Sequence, residues 1–460
     1  MGNLLGSPVT EKETSTGWTP DGKLQYGLSS MQGWRVHMED AHISQPFLFA
    51  EVMDNSVTNE NSGKVDSTSS NSDEISAKKQ KNNEEVTSAK SASSSRWTQI
   101  PVPNHSLYAV FDGHGGSFAA EYAGRNFCRV LSRTLHFVQY AQHIQKETTT
   151  MTATELANHR TEGLALLEAS LMDAFVEIDK EIFLHVRQEA SVVTDANAFY
   201  GINYEHEEVT QLNKILEKES TNIQNETIKT QSIDQQHADD NESGIKMHSR
   251  SHQHDLHSVV PEPNEGEDSG TTAVIVIVTP HSIVCANAGD SRAVYSKFGH
   301  KAVPLSYDHK PDDEAEERRI RDGGGFVSAG RVEGDLAVSR GFGDYRFKIP
   351  EAILGAKTAD SNSIAENSNN RFAYVDEQKV TPMPDIVIQN RNENTDEFII
   401  LACDGIWDVQ TNHECVQMVA NIFEEGESDI GLVCEEVSLK NRFIFGNIWN
   451  HAIIKMDLSR

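Results

Sequence analysis

The chain has 460 residues, only 37% of them hydrophobic, and a formal charge of −30. That acidic balance excludes a nucleic-acid binder, which needs a basic footprint, and no run approaches the ~18 apolar residues of a membrane-spanning helix. Five scattered cysteines (Cys128, Cys285, Cys403, Cys415 and Cys434) form no CxxC pair, the usage expected of reduced thiols in a cytoplasmic or nuclear protein.

The chain begins Met1-Gly2-Asn3-Leu4-Leu5-Gly6-Ser7. This half-matches an N-myristoylation signal, with serine one place late. Residues 1–22 are therefore expected to be a tail, and a lipid on Gly2 is the one membrane link the sequence offers. Residues 53–96 and about 189–268 carry few large apolar side chains and are rich in Ser, Asn, Gln and Glu. Such segments cannot bury enough apolar surface to offset their ordering entropy, so both are expected to be disordered inserts. Between them, "SFAAEYAGRNFCRVLSRTL" and "GLALLEASLMDAFVEIDKEIFLHV" repeat apolar residues every three or four positions, which predicts helices.

After the second insert the pattern changes. "TTAVIVIVTP", "SIVCANAG" and "SRAVYSKFG" are β-branched runs broken by Pro and Gly, and predict consecutive strands with short turns. "KPDDEAEERRIRDGGG" predicts a charged helix, with Pro311 and acids at its start and glycines past its end. A strand "EFIILACDG" and a helix "NHECVQMVANIFEE" follow. Meandering strands mixed with helix pairs, without strand–helix–strand alternation, point to an α+β fold with antiparallel sheets rather than a Rossmann fold.

Carboxylates recur where these strands stop. Asp112 follows "LYAVF", Asp404 follows "FIILAC", Asp290 follows "CANAG", and Glu39-Asp40 lies in "GWRVHMEDAH". Each alone reads as an Asp-Gly turn after a strand. Together they read as a hard-metal site, because Mg²⁺ and Mn²⁺ take a few carboxylates plus a backbone carbonyl and keep several waters. Glycine after the ligand lets the main chain approach the ion.

The stretches "GWRVHMEDAH", "VFDGHGG", "SGTTAV", "NAGDSRAV", "RVEGDLAVSRGFGD" and "ILACDGIWDV" resemble, in order, the signature motifs of metal-dependent serine/threonine protein phosphatases of the type 2C class. The resemblance covers residues 23–436, interrupted by the two inserts. It implies two antiparallel β-sheets packed as a central sandwich, flanked by antiparallel helix pairs, with two Mg²⁺ or Mn²⁺ ions at one edge. It also implies roles. Asp112 matches the carboxylate bridging both metals, Gly113 the residue lending its carbonyl, and Asp404 a ligand of one metal. Glu39 and Asp40 match acids holding the second. Arg35 matches the guanidinium that grips the substrate phosphate, and His114 the general acid near the leaving group. Asp290 and Asp408 match residues linked to a third, weaker metal in some members. Phosphoprotein substrates and a monomer are the expected partners and state.

The resemblance stops after "GLVCEE". Family members continue to a Gly-x-Asp-Asn segment, whose Asp is a further metal ligand, and then to a last strand. Here residues 437–460 read "VSLKNRFIFGNIWNHAIIKMDLSR", with no such pair and with Asp457 in the wrong context. The expectation is an atypical tail, with one ligand and the last, central strand missing. Val437-Ser438 is compatible with a splice-donor codon pair, so the tail is a candidate for translated intron. Two functions follow as expectations: a metal-dependent phosphoserine/phosphothreonine phosphatase, or a catalytically impaired relative that binds phosphoproteins.

Overall fold

The computed structural model describes residues 4–53, 97–197, 268–349, 373–445 and 449–456. The two inserts, apart from their ends, and Gly2 lie outside the described residues.

The chain enters as an antiparallel hairpin of β1 (Leu4–Trp18) and β2 (Leu24–Arg35). Thr19 Oγ1 donates to Asp21 Oδ1 at 2.6 Å in its turn, and Gly22 takes the left-handed φ of 69° that closes it. Next come β3 (Ala41–Gln45), the hairpin β4 (Leu48–Met53) with β5 (Trp97–Val102), β6 (Ser106–Phe111) and the two-residue β7 (Gly113–His114). Three helices follow: α1 (Phe118–Arg133), α2 (Leu135–Ile144) and α3 (Ala153–Asn197). After residue 268 the chain forms β8 (Gly270–Thr271), β9 (Ala273–Val278), β10 (Ser282–Ala288), β11 (Arg292–Lys297) and β12 (Lys301–Pro304).

Helix α4 (Glu314–Asp322) has three acids in its first turn and Arg319 and Arg321 in its last, each sign matching the helix dipole. Short pieces β13 (Val327–Ser328), β14 (Arg331–Val332), β15 (Phe342–Gly343) and α5 (Ala373–Asp376) lead to β16 (Asp385–Asn390) and β17 (Asp396–Ala402). The chain closes with α6 (Asp404–Trp407), α7 (Asn412–Glu424), α8 (Ile430–Phe445) and β18 (Trp449–Met456). Thr411 and Glu414 form a reciprocal capping box that starts α7.

Two antiparallel sheets carry the fold, in the orders β1-β2-β18-β17-β11-β12 and β16-β10-β9-β6-β3. Strict two-residue alternation explains how they stack. Tyr108 and Val110 of β6, Val274 and Val276 of β9, and Ile399 and Leu401 of β17 meet in one core between the sheets. Their neighbours Ala109, Phe111, Ile275 and Ile277 pack outward with residues of α1–α3, including Phe127 and Phe175. On the other side, Phe398 and Ile400 cluster with Val416 and Val419 of α7 and Val433 of α8. Strands buried on both faces read as continuous apolar runs, and each alternate residue serves a different core.

Three expectations change. The last strand is present: β18 pairs antiparallel with β17 through Phe398↔Lys455 to Ala402↔His451, and with β2 through Trp449↔Met31 to Met456↔Leu24. The central slot that the missing Asp-Asn segment left open is thus closed by a divergent sequence, because a ladder needs backbone and β-compatible residues rather than the motif. Residues 4–18 are an edge strand rather than a tail. Helix α3 runs on to Asn197, into what the composition reads as the second insert.

Candidate metal centre and active site

Strand direction brings the candidate residues to one edge. Arg35 ends β2, Asp112 follows β6, Asp290 follows β10 and Asp404 follows β17. Gly113 is dictated by proximity: a Cβ there would run into the backbone carbonyl of Glu39. Its N–H donates to Asp40 Oδ1 at 3.3 Å, and Thr272 N–H donates to the Asp112 carbonyl at 3.0 Å, so this turn is held from both sides.

Asp112 is 9% exposed and shares its surroundings with Asp404 and Cys403, whose donor atoms lie with an Asp112 carboxylate oxygen within 4.8 Å of one another. The electrostatics are those of acids crowded together. Burial and the charges of Asp40 and Asp290 push Asp112 well above the usual carboxylate range. Burial, then Asp112, Asp290 and Asp408, push Asp404 up to about 8. Burial raises Asp40 to about 6, although Arg35 opposes it. Like charges this close cannot all ionise unless a cation sits among them. The donor chemistry, carboxylate oxygens with a glycine beside them, suits a hard divalent ion, whereas the Cys403 thiol does not.

Arg35 faces the same cluster. Burial works against its charge, but Asp112, Asp40, Glu39 and Asp404 hold the guanidinium above its ordinary pKa. Its Nη1 donates to Glu39 Oε2 at 3.2 Å, and Glu39 Oε1 accepts from Gly116 N–H at 2.9 Å. Glu39 is therefore engaged with Arg35 and the backbone, while Asp40 points at the Asp112–Gly113 turn. Asp290 accepts from Lys310 Nζ at 2.5 Å. Asp408 is raised by burial and by Asp290 and Asp308, against Lys310. These two acids form a second tier beside Asp404, with Lys310 between them.

His114 brings a partner absent from the sequence expectations. Its Nε2 lies 2.9 Å and 3.0 Å from the two carboxylate oxygens of Asp344. Burial lowers the imidazole pKa, but Asp344, Asp112 and Asp290 outweigh it and bring the value to about 9. Asp344 adopts a left-handed φ of 55° and is fixed by its neighbours. Gly343 N–H donates to Asp179 Oδ1 at 2.8 Å, Lys348 Nζ donates to the same oxygen at 2.8 Å, and Tyr345 OH donates to the Asp179 carbonyl at 2.8 Å. The short sheet β15-β8-β7 then sets His114 against this turn. The signal was present in "RGFGD", another Gly-Asp pair after a short strand, but only the fold shows that it faces His114.

A family model described as "Protein phosphatase 2C" matches residues 177–440. A relative from Aspergillus flavus, "Protein phosphatase 2C homolog 2", is 27% identical over 91% of this chain and 59% of its own length. "Probable protein phosphatase 2C 60" from Arabidopsis thaliana is 29% identical over 95% of this chain and 85% of its own. A crystal structure of "serine-threonine phosphatase 2C" from Toxoplasma gondii superposes with a TM-score of 0.50 at 15% identity, covering 99% of each chain, a likeness of fold. The chain spans 59%, 44% and 61% of the lengths of three curated relatives it matches.

Proposed function

The chain belongs to the protein phosphatase 2C family, and on that premise we propose that it is a metal-dependent phosphatase acting on phosphoserine and phosphothreonine in proteins. The observation that carries the reading is the convergence, at one sheet edge, of three carboxylates with raised pKa, Asp112 buried and Asp40 and Asp404 partly so, with an arginine and a paired histidine.

Asp112, Asp404, Asp40 and the carbonyl of Gly113 are the proposed oxygen donors, with Glu39 joining through water. A Mg²⁺ or Mn²⁺ ion held by these oxygens would supply an activated water and would neutralise phosphoryl charge. Arg35, whose half-exposed side chain pairs with Glu39, grips two phosphoryl oxygens with its planar fork. His114, held protonated by Asp344, gives its proton to the departing serine or threonine oxygen, a poor leaving group as an alkoxide. Asp290 and Asp408, with Lys310 between them, are the proposed weaker third site. No helix among the described residues is long and apolar enough to cross a membrane, and an acyl chain on Gly2 is the proposed membrane link of a monomer that works in the cytoplasm or nucleus.

One observation favours a second reading, a phosphoprotein-binding relative without turnover. Residues 446–448, just before β18, are Gly, Asn and Ile, so the donor set is one carboxylate short of the family pattern. Release of phosphate from a phosphothreonine peptide, with and without Mn²⁺, separates the two. Mn²⁺-dependent release that disappears in Asp112→Asn supports the phosphatase. Saturable peptide binding without release supports the second reading.

A further inference from the structure

The opposite end of the sandwich carries a cleft that the proposed reaction does not use. The register places it: β6 runs from Ser106 towards Asp112, and β10 from Ser282 towards Asp290, so His105 and His281 lie at the far end of their strands. Six or seven strand residues separate the two ends by roughly 20 Å. The cleft has a volume of about 630 Å³ and lies between the α2–α3 hairpin and the paired ends of β10 and β16.

Two arginines line it, and each keeps a buried, unsatisfied donor. Arg391 N–H donates to the His281 carbonyl at 2.9 Å and its Nη1 to the Thr279 carbonyl at 2.8 Å, yet its buried Nε has no acceptor. Arg160 Nη2 donates to Glu147 Oε1 at 3.1 Å, and its buried Nε likewise has none. A buried donor without an acceptor is costly, and a guanidinium more so than an amide. Beside them the exposed His281 ring makes no hydrogen bond among the described residues. Burial, then the charges of Arg160 and Arg391, lower its pKa, against Glu147 and Glu393, so the imidazole stands in the field of both cations.

The wall is rigid. His143 and His159 stack with ring centroids 3.8 Å apart. Each Nε2 donates to the other's backbone carbonyl, at 2.8 Å and 3.1 Å, clipping the end of α2 to the start of α3. In a chain of charge −30, two guanidiniums and an imidazole facing one preformed cavity are not a generic solvated face. The chemistry that satisfies them together is a tetrahedral dianion. A phosphoryl group can accept from both planar forks and from His281, where one carboxylate would leave a donor over.

We propose that this cleft is a second phosphoryl-binding site, remote from the metal edge, in which Arg160, Arg391 and His281 hold a phosphate group. The group has two sources, a phosphorylated protein segment or free phosphate. The neighbouring groove, about 770 Å³ and lined by Pro46, Phe47, Pro101 and Pro103, shares Arg391 with the cleft and offers an extended chain a place to lie.

The test reads binding rather than turnover, so it fails or succeeds independently of the proposed phosphatase activity. A phosphothreonine peptide and inorganic phosphate are each titrated calorimetrically, at low salt, into the full-length chain carrying Asp112→Asn and Arg35→Gln, which silences phosphate binding at the metal edge. The titrations are repeated with Arg160→Gln or Arg391→Gln added. Loss of one charge-assisted contact is expected to weaken binding about tenfold or more in either variant. In the otherwise native chain, the same two changes should leave p-nitrophenyl phosphate hydrolysis unaltered. Arg391→Gln also removes a bond to Thr279 that braces β16, so Arg160→Gln, whose one hydrogen bond is to Glu147 at the surface, decides the matter if the other variant is poorly folded. Peptide bound more tightly than phosphate assigns the site to protein segments, and equal binding assigns it to free phosphate. Unchanged affinities for both ligands in Arg160→Gln would overturn the proposal.

Discussion

Replacing Asp344 with asparagine isolates the device that keeps His114 an acid. The side chain keeps its size and one acceptor oxygen, but the charge 2.9 Å from Nε2 is gone. Asp112 and Asp290 also raise His114, yet their charge is countered once cations occupy the cluster, which leaves Asp344 as the lasting partner. With a pKa of about 9 the imidazole is roughly 90% protonated at pH 8, whereas near the ordinary value of about 6.5 it is roughly 3% protonated. The expected loss is therefore at most about thirty-fold in kcat on a phosphothreonine peptide at pH 8, since Asp112 and Asp290 supply part of the raised value in the metal-free cluster, with KM little changed. The pH–rate profile carries the sign: the native chain holds its rate until pH approaches 9, and the variant starts to fall some two units lower. Because p-nitrophenolate leaves without needing a proton, hydrolysis of p-nitrophenyl phosphate should drop far less. Equal losses on the two substrates, or an unmoved alkaline limb, would refute the assignment of Asp344 to His114.

Three further outcomes are expected. Glu316 is buried beneath Arg319 and Arg340, at 2.7 Å and 2.6 Å, and although burial raises it, their hydrogen bonds and charges bring its pKa down to about 2. Its stabilisation is fully present above its unfolded value near 4.5 and fades as the pH falls towards 2. Glu316→Gln should thus cost about 3 kcal/mol at neutral pH by leaving the Arg319 charge without a carboxylate, Arg340 keeping Asp385, and thermal melts between pH 5 and 2 should converge on the native chain; parallel curves would count against it. Gly113→Ala should weaken Mn²⁺ binding by about tenfold or more through its collision with the Glu39 carbonyl, and native affinity in calorimetry would show that the close approach is unimportant. A chain ending at Phe445 loses both ladders of β18, so it should lack a cooperative melt, since an empty central slot exposes more than the usual ~5–15 kcal/mol of total stability can sustain. A native-like melt from that chain would mean that β18 is dispensable.

Residues of the candidate site that are neighbours in the chain are visible in the sequence, whereas those that depend on distant partners are not. Asp112, Gly113 and His114 are consecutive, and each strand before a carboxylate announces itself as an apolar run, so the metal edge was legible. The alternation in "AVIVIV" likewise follows from two cores on either side of β9. Asp344 was not legible as a partner of His114, because its left-handed turn is built by Asp179 on α3, Tyr345 and Lys348. The strand at Trp449–Met456 was missed because the absent Asp-Asn pair drew the reading. One of its two partners, β2, lies hundreds of residues away in the chain, and the ladder registers through backbone alone. Residues 4–18 failed similarly, since their polar, threonine-rich sequence suits an edge strand as well as a tail.

Calorimetric titration of Mn²⁺ into the full chain at pH 7, repeated in buffers of different ionisation enthalpy, tests the metal centre most directly. Asp404 is pushed up to about 8 and Asp112 well above its ordinary range, so the metal-free cluster holds protons at pH 7 that a cation must displace. The expected result is saturable binding that releases protons, tightens as the pH rises from 6 to 8, and is lost in Asp112→Asn. Binding that releases no proton, or that survives Asp112→Asn unchanged, would contradict a metal centre at this edge.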